Sequence, residues 1–286
     1  MQKLFLILLA ISSFLVTGCA QKTDHLVTIK TKYGEMAAIL YDETPKHKEN
    51  FLKLVREKYY DSLLFHRVID GFMIQGGDPD SKRSAQDQRL GNGGPGYTIE
   101  AEFKPRFFHE KGALSAARLG DAMNPQKASS GSQFYIVQGT KHPESQIKLD
   151  QQKYDQALQQ FFQKPENKVY YDSINAFFQA RDEKGYEAYL VKLKPVVEKQ
   201  LGISVEKDVS PELVKAYTTV GGTPQLDGQY TVFGKVIKGL DVIDKIAAQP
   251  KDPNDRPLDD VRMEITVEEM PRRKIEKLHG YTYPEN

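Results

Sequence analysis

The chain has 286 residues, 40 Lys and Arg against 39 Asp and Glu, and a net charge of +1, with enough apolar residues for a sizeable core; this excludes a disordered chain. Acidic and basic residues are interspersed with no long basic run, so the electrostatic footprint of a nucleic-acid binder is missing. The single cysteine excludes an internal disulfide, so in an oxidising compartment stability would rest on the core alone.

Lys3 precedes an apolar run, Leu4 to Val16, that is too short to cross a bilayer and reads as the core of a signal peptide over residues 1–18. It ends in Leu15-Val16-Thr17-Gly18-Cys19, which resembles the bacterial lipobox. The resemblance implies that Cys19 is lipidated and becomes the mature N-terminus. Acyl chains buried at about 0.8 kcal/mol per methylene would then hold the protein on a membrane surface in the cell envelope, facing the periplasm or the exterior. Residues 19–25 would serve as a polar tether.

From Leu26 the pattern is one of short strands and turns. Val27 to Thr31 and Met36 to Tyr41 read as a hairpin turning at Gly34. Thr44-Pro45 then reads as the start of a helix carrying Phe51, Leu52, Leu54 and Val55 at helical spacing. Leu64 to Ile69 and Phe72 to Gly76 form a second predicted hairpin around Asp70-Gly71. Gly91 to Gly96 marks a loop, and Gly112 to Ala117, Gln133 to Gln138 and Tyr230 to Val236 add strands. After Gly239, Leu240, Val242, Ile243 and Ile246 predict a second helix, and Val261 to Val267 alternates as a final strand. Many short strands with turn signals predict a mainly β protein, a closed antiparallel barrel with two flanking helices.

Residues 140–223 break the rhythm: Ala157, Phe161 and Phe162 stand at helical spacing in a stretch rich in Gln, Lys, Glu, Tyr and Phe. We read it as helices inserted between two barrel parts, 26–139 and 224–270, because surface insertions cost little closure entropy. The tail, 271–286, reads as a packed strap or a disordered end.

Three ordered blocks carry the chemistry: FHRVIDGFMIQGGD from Phe65 to Asp78, GSQFYI from Gly131 to Ile136, and LDGQYTVFG from Leu226 to Gly234. Together they resemble the cyclophilin family of peptidyl-prolyl cis-trans isomerases over about residues 26 to 138 and 224 to 268. The resemblance implies an eight-stranded cyclophilin-like barrel and rotation about X-Pro bonds of polypeptides, with no cofactor and no covalent chemistry. Arg67 would be the catalyst, because the twisted proline nitrogen regains a lone pair that a fixed cation binds better than it binds the planar amide. Arginine stays charged and presents a rigid fork. Gln75 would hold that fork or donate to a substrate carbonyl. Phe72, Met73, Tyr135 and Leu226 would form the apolar hole for the proline ring, with Tyr230 closing the rim. Gln133 and the backbones of Ala117 and Arg118 would bind the peptide main chain, and Gly91 to Gly94 would border an adjoining subsite.

The chain departs from the family's cyclosporin-binding types, which carry tryptophan where this chain has Gln225; tight cyclosporin binding is not expected. Where many members have a pocket histidine it has Tyr230, and where many have asparagine it has Arg118. His66, adjacent to Arg67 on a strand, should face the other way and be structural. Asp78, Asp80, Asp87, Asp252 and Asp255 lack the glycine and terminal glutamate of a calcium loop, so no metal is expected. We expect a monomer. The rival expectation is a non-catalytic protein that keeps the proline pocket and recognises clients through its helical segment.

Overall fold

The computed structural model describes residues 22–284, so the apolar leader and Cys19 lie outside the described residues. The opening hairpin pairs β1 (Thr23–Thr31) with β2 (Gly34–Leu40) around Lys32-Tyr33, where Gly34 takes a φ of +133°. β1 begins earlier than expected: Thr23, Asp24 and His25, read as tether, pair with Pro271, Met270 and Glu269. The buried Asp24 is tolerated there because Lys48 Nζ lies 2.9 Å away. Helix α1 (Pro45–Arg56) opens on its proline, but Thr44 does not cap it; the hydroxyl donates back to Tyr41 O at 3.3 Å.

β3 (Phe65–Ile69) and β4 (Met73–Gly76) form the second hairpin, and Gly71 at its turn has a φ of +75°. β5 (Thr98–Ile99) pairs with β7 (Ser129–Ser130) as a separate ribbon, while β6 (Ala113–Ala116) and β8 (Phe134–Val137) join the main sheet. Between β8 and β9 (Val232–Lys238) the chain forms α2 (Glu144–Ile147), α3 (Gln151–Phe162), α4 (Lys168–Ala180), α5 (Glu183–Leu201) and α6 (Pro211–Lys215). α7 (Leu240–Ala247), β10 (Glu264–Pro271) and α8 (Arg272–His279) complete the order. No helix among the described residues is long and apolar enough to cross a membrane.

The main sheet is antiparallel, with strand order β10-β1-β2-β9-β6-β8-β4-β3. It curls until its edges meet, but they join only over a short seam, so the sheet is less fully closed than expected. There Ser62 N–H donates to Met263 O, Met263 N–H to Leu63 O and Phe65 N–H to Val261 O, each at 2.9 Å. The seam takes up residues 261–263, which is why β10 starts later than the alternation beginning at Val261 predicts. Inside the curl, Val27, Ile29, Met36 and Leu40 meet Phe51 and Leu54 of α1 and Val242, Ile243 and Ile246 of α7. Each such side chain contributes roughly 1.5–3 kcal/mol on burial. Phe51 and Tyr60 meet Phe134 edge to face at 5.6 Å, filling the centre with rings.

The helices between β8 and β9 have a core of their own, made of Tyr154, Ala157 and Phe161 from α3, Ile174 from α4, Leu193 and Val197 from α5, and Val205. Their junction with the barrel is tight: a Cβ on Gly139 would lie 2.3 Å from Gly222 Cα, and Gly139 has a φ of +62°. Beyond β10 the described tail is packed, as the sequence allowed, but as a helix, with Ile275 of α8 buried against Leu26, Ile39 and Met270.

Candidate active site

Antiparallel pairing places three residues in one row across neighbouring strands: Arg67 of β3 faces Gln75 of β4, which faces Tyr135 of β8. Met73, two residues from Gln75, shares that face. The register slips between Phe65 and Arg67, leaving His66 at a bulge. Phe72 enters from the turn before β4, Ala117 and Arg118 from the end of β6, and Leu226 and Tyr230 from the approach to β9. These nine side chains and backbones enclose a hollow of about 160 Å³. Part of its wall is apolar, where Met73, Tyr135, Phe72, Leu226 and Tyr230 pack in one cluster, and Arg67, Gln75 and Arg118 make the rest polar. Arg67 stands at its lip with 41% of its side chain exposed.

Of the ten predicted site residues, Gln133 alone does not line this hollow. It is buried in the wall of an adjoining cavity that also contains Gly91 to Gly94. Its Nε2 donates to Gly91 O at 3.0 Å and Gly93 O at 2.7 Å, and its Oε1 accepts from Gln75 Nε2 at 3.1 Å. The side chain expected to bind peptide main chain is thus committed to shaping the glycine loop. Buried Asp78 supports the same loop by accepting from the Gly91 and Gly93 amides.

Two further expectations change. Gln75 donates to Gln133 rather than holding the Arg67 fork; the carboxylate paired with that guanidinium is Asp255, whose Oδ2 is 3.5 Å from Nε. Asp255 has a φ of +66°, and Lys251 Nζ sits 2.8 Å from its other oxygen. Nothing in the spacing of the sequence joins residue 67 to residue 255; the Val68 N–H does, donating to Asp255 O at 2.8 Å. Ala117 cannot offer its amide to a peptide, since its N–H donates to Gln133 O at 3.0 Å and its carbonyl accepts from Ser130 N at 2.8 Å. Arg118 has no backbone partner of that kind among the described residues. Its guanidinium is spent inward, stacking 4.4 Å over the Tyr230 ring while Nε donates to Gln229 O at 2.9 Å. One cation is therefore locked and the other, Arg67, borders the hollow.

The profile of the family described as cyclophilin type peptidyl-prolyl cis-trans isomerase/CLD matches residues 26–172 and 213–267. A Staphylococcus saprophyticus protein provisionally named a peptidyl-prolyl cis-trans isomerase is 32% identical over 238 residues, 82% of this chain and 86% of that protein. A Staphylococcus aureus protein with the same name is 32% identical over 251 residues, 87% of this chain and 94% of its own length. A Streptococcus pyogenes protein provisionally named a bifunctional phosphatase/peptidyl-prolyl cis-trans isomerase is 32% identical over 252 residues; the match spans 86% of this chain but only 39% of that protein. A Cryptosporidium parvum cyclophilin-type isomerase structure aligns over 86% of this chain and 98% of its own, with 21% identity and a TM-score of 0.49. The chain belongs to the cyclophilin-type peptidyl-prolyl cis-trans isomerase family. The unmatched stretch, 173–212, lies within the helical segment and is narrower than the 140–223 read from the sequence.

Burial holds the His66 imidazole far below its ordinary value, at about 4, against the opposing charge of Asp78. Between that value and the unfolded value of about 6.5 the unfolded chain binds the extra proton, so this contribution is complete above the window and is lost as pH falls through it. The expected loss is about 3 kcal/mol between neutral pH and pH 4. Denaturant titrations should show a His66→Leu variant losing less stability over this range than the parent; equal slopes would remove His66 as the cause.

Proposed function

We propose that the protein catalyses cis-trans rotation about X-Pro bonds of exported polypeptides, with Arg67 as the electrostatic catalyst. One observation carries this reading: a charged arginine borders a hollow with an apolar wall, and no second free cation stands among its lining residues. The uncatalysed barrier is roughly 18–20 kcal/mol because rotation breaks amide resonance, so no bond need be made or cut. With the proline ring in the hollow, the guanidinium can donate to the nitrogen lone pair that appears only in the twisted state. Asp255 approaches Arg67 from the Nε side, which leaves the terminal nitrogens for the substrate.

A proline tetrapeptide assay tests this. Arg67→Ala should lose about a hundredfold in kcat/KM, the scale for removing one transition-state donor, and Arg67→Lys should recover little of it. Equal rates for parent and Arg67→Ala would remove the enzyme reading.

Exposed Val169, Tyr171 and Phe178 of α4 and Val191 of α5 favour a second reading, in which the helical segment captures clients. Its separate core and the closeness of its ends, with His142 N–H donating to Tyr217 O at 3.0 Å, make it removable. Replacing residues 144–209 by a short Gly-Ser link should leave tetrapeptide turnover within about twofold, since short loops close at small cost. If capture of unfolded clients survives as well, the segment is not the recognition element.

The site of action is proposed from the run Leu15 to Cys19, which supports lipid anchoring in the envelope. A Cys19→Ser variant should move from the membrane to the soluble fraction of cells; unchanged fractionation would refute the anchor.

A further inference from the structure

Behind one wall of the hollow runs a chain of hydrogen bonds, buried at His109 and Tyr135 and half-buried at Asp227, that contact with a peptide does not require. The Tyr217 hydroxyl donates to Asp227 Oδ2 at 2.6 Å. Asp227 Oδ1 accepts from His109 Nδ1 at 2.8 Å and from the His109 backbone amide at 2.9 Å. His109 Nε2 lies 3.0 Å from the Tyr135 hydroxyl. A carboxylate only accepts, so His109 Nδ1 donates to Asp227, and Nε2 is paired with the Tyr135 hydroxyl. Burial raises the pKa of both phenols, with the charge of Asp227 adding to the effect on Tyr217, so both hydroxyls keep their protons.

The chain of contacts continues into the hollow. The His109 ring lies nearly parallel to the Tyr135 ring, and Tyr135 meets Tyr230 edge to face at 5.8 Å. Asp227 directly follows Leu226, which forms another part of the wall. Tyr217 itself does not line the hollow; it stands in the turn that leaves α6. That turn is fastened to the barrel where Thr223 N–H donates to His109 O at 2.9 Å and Lys111 N–H to Gly221 O at 2.9 Å.

We propose that Tyr217 is a positioning residue for the proline hollow: through Asp227 and His109 it fixes the Tyr135 ring, so the exit of the helical segment sets the affinity for proline peptides. The proposal rests on the isomerase reading only in taking a proline peptide as the ligand. Side-chain hydrogen-bond networks of this kind set one geometry for the groups they join.

The test uses the full chain, a proline tetrapeptide, and the variants Tyr217→Phe, Tyr135→Phe and their double. Calorimetry gives Kd, and turnover gives kcat and KM. Tyr217→Phe should raise Kd and KM about fivefold, the scale of one net hydrogen bond, with kcat nearly unchanged. In the Tyr135→Phe background the same change should add nothing, because the link it acts through is already cut. A parental Kd in Tyr217→Phe, even with a lowered melting temperature, would overturn the proposal, as would full additivity in the double variant. A parent that binds the peptide without turning it over would sink the isomerase reading alone, and the Kd comparison would still decide the role of Tyr217. A parent that does not bind the peptide would overturn both.

Discussion

The row Arg67–Gln75–Tyr135 across β3, β4 and β8 is the constraint on which the site depends. Antiparallel pairing fixes which side chains lie beside one another, and the two-residue repeat fixes which face they share. A slip of one residue in β3 would move Arg67 from the hollow to the opposite face and bring His66 in its place. The bulge at His66 and the tight turn at Gly71 hold the register at its two ends. A cation and an apolar wall can thus be neighbours without a covalent link, at a point where the ring-filled core behind the strands resists movement.

The electrostatics of the site follow a division of labour between two arginines. Arg118 is almost wholly covered and bound to Gln229 O, Leu119 O and Asp121, so its charge stiffens the rim. Arg67 is partly exposed and loosely paired with Asp255, an arrangement worth little to stability because water screens it. Weak pairing keeps the guanidinium oriented without spending its donors.

Much of this was legible in the amino-acid order. Gly71, the alternation around it, and the apolar periods of α1 and α7 announce local structure through backbone rules that act over a few residues. The blocks at Phe65, Gly131 and Leu226 announced the hollow, because a resemblance carries long-range information that periodicity lacks. What escaped were contacts between distant segments: Asp255 beside Arg67, the Gln133 amide turned toward Gly91 and Gly93, and the line from Tyr217 to Tyr135. Asp255 was read only as a failed metal ligand, and His109 offered no pattern at all. β10 and α8 were displaced or missed because the seam and the packing of Ile275 outrank local propensity.

The aromatic helical core around Phe161 and the barrel core around Phe134 share no residue. Substitutions in one should therefore sum with those in the other rather than amplify them. The outer helices can therefore take up changes on their exposed faces without disturbing the core behind the arginine. The two halves are obliged to change together at their joint, where Gly139 meets Gly222 backbone to backbone and Tyr217 reaches Asp227.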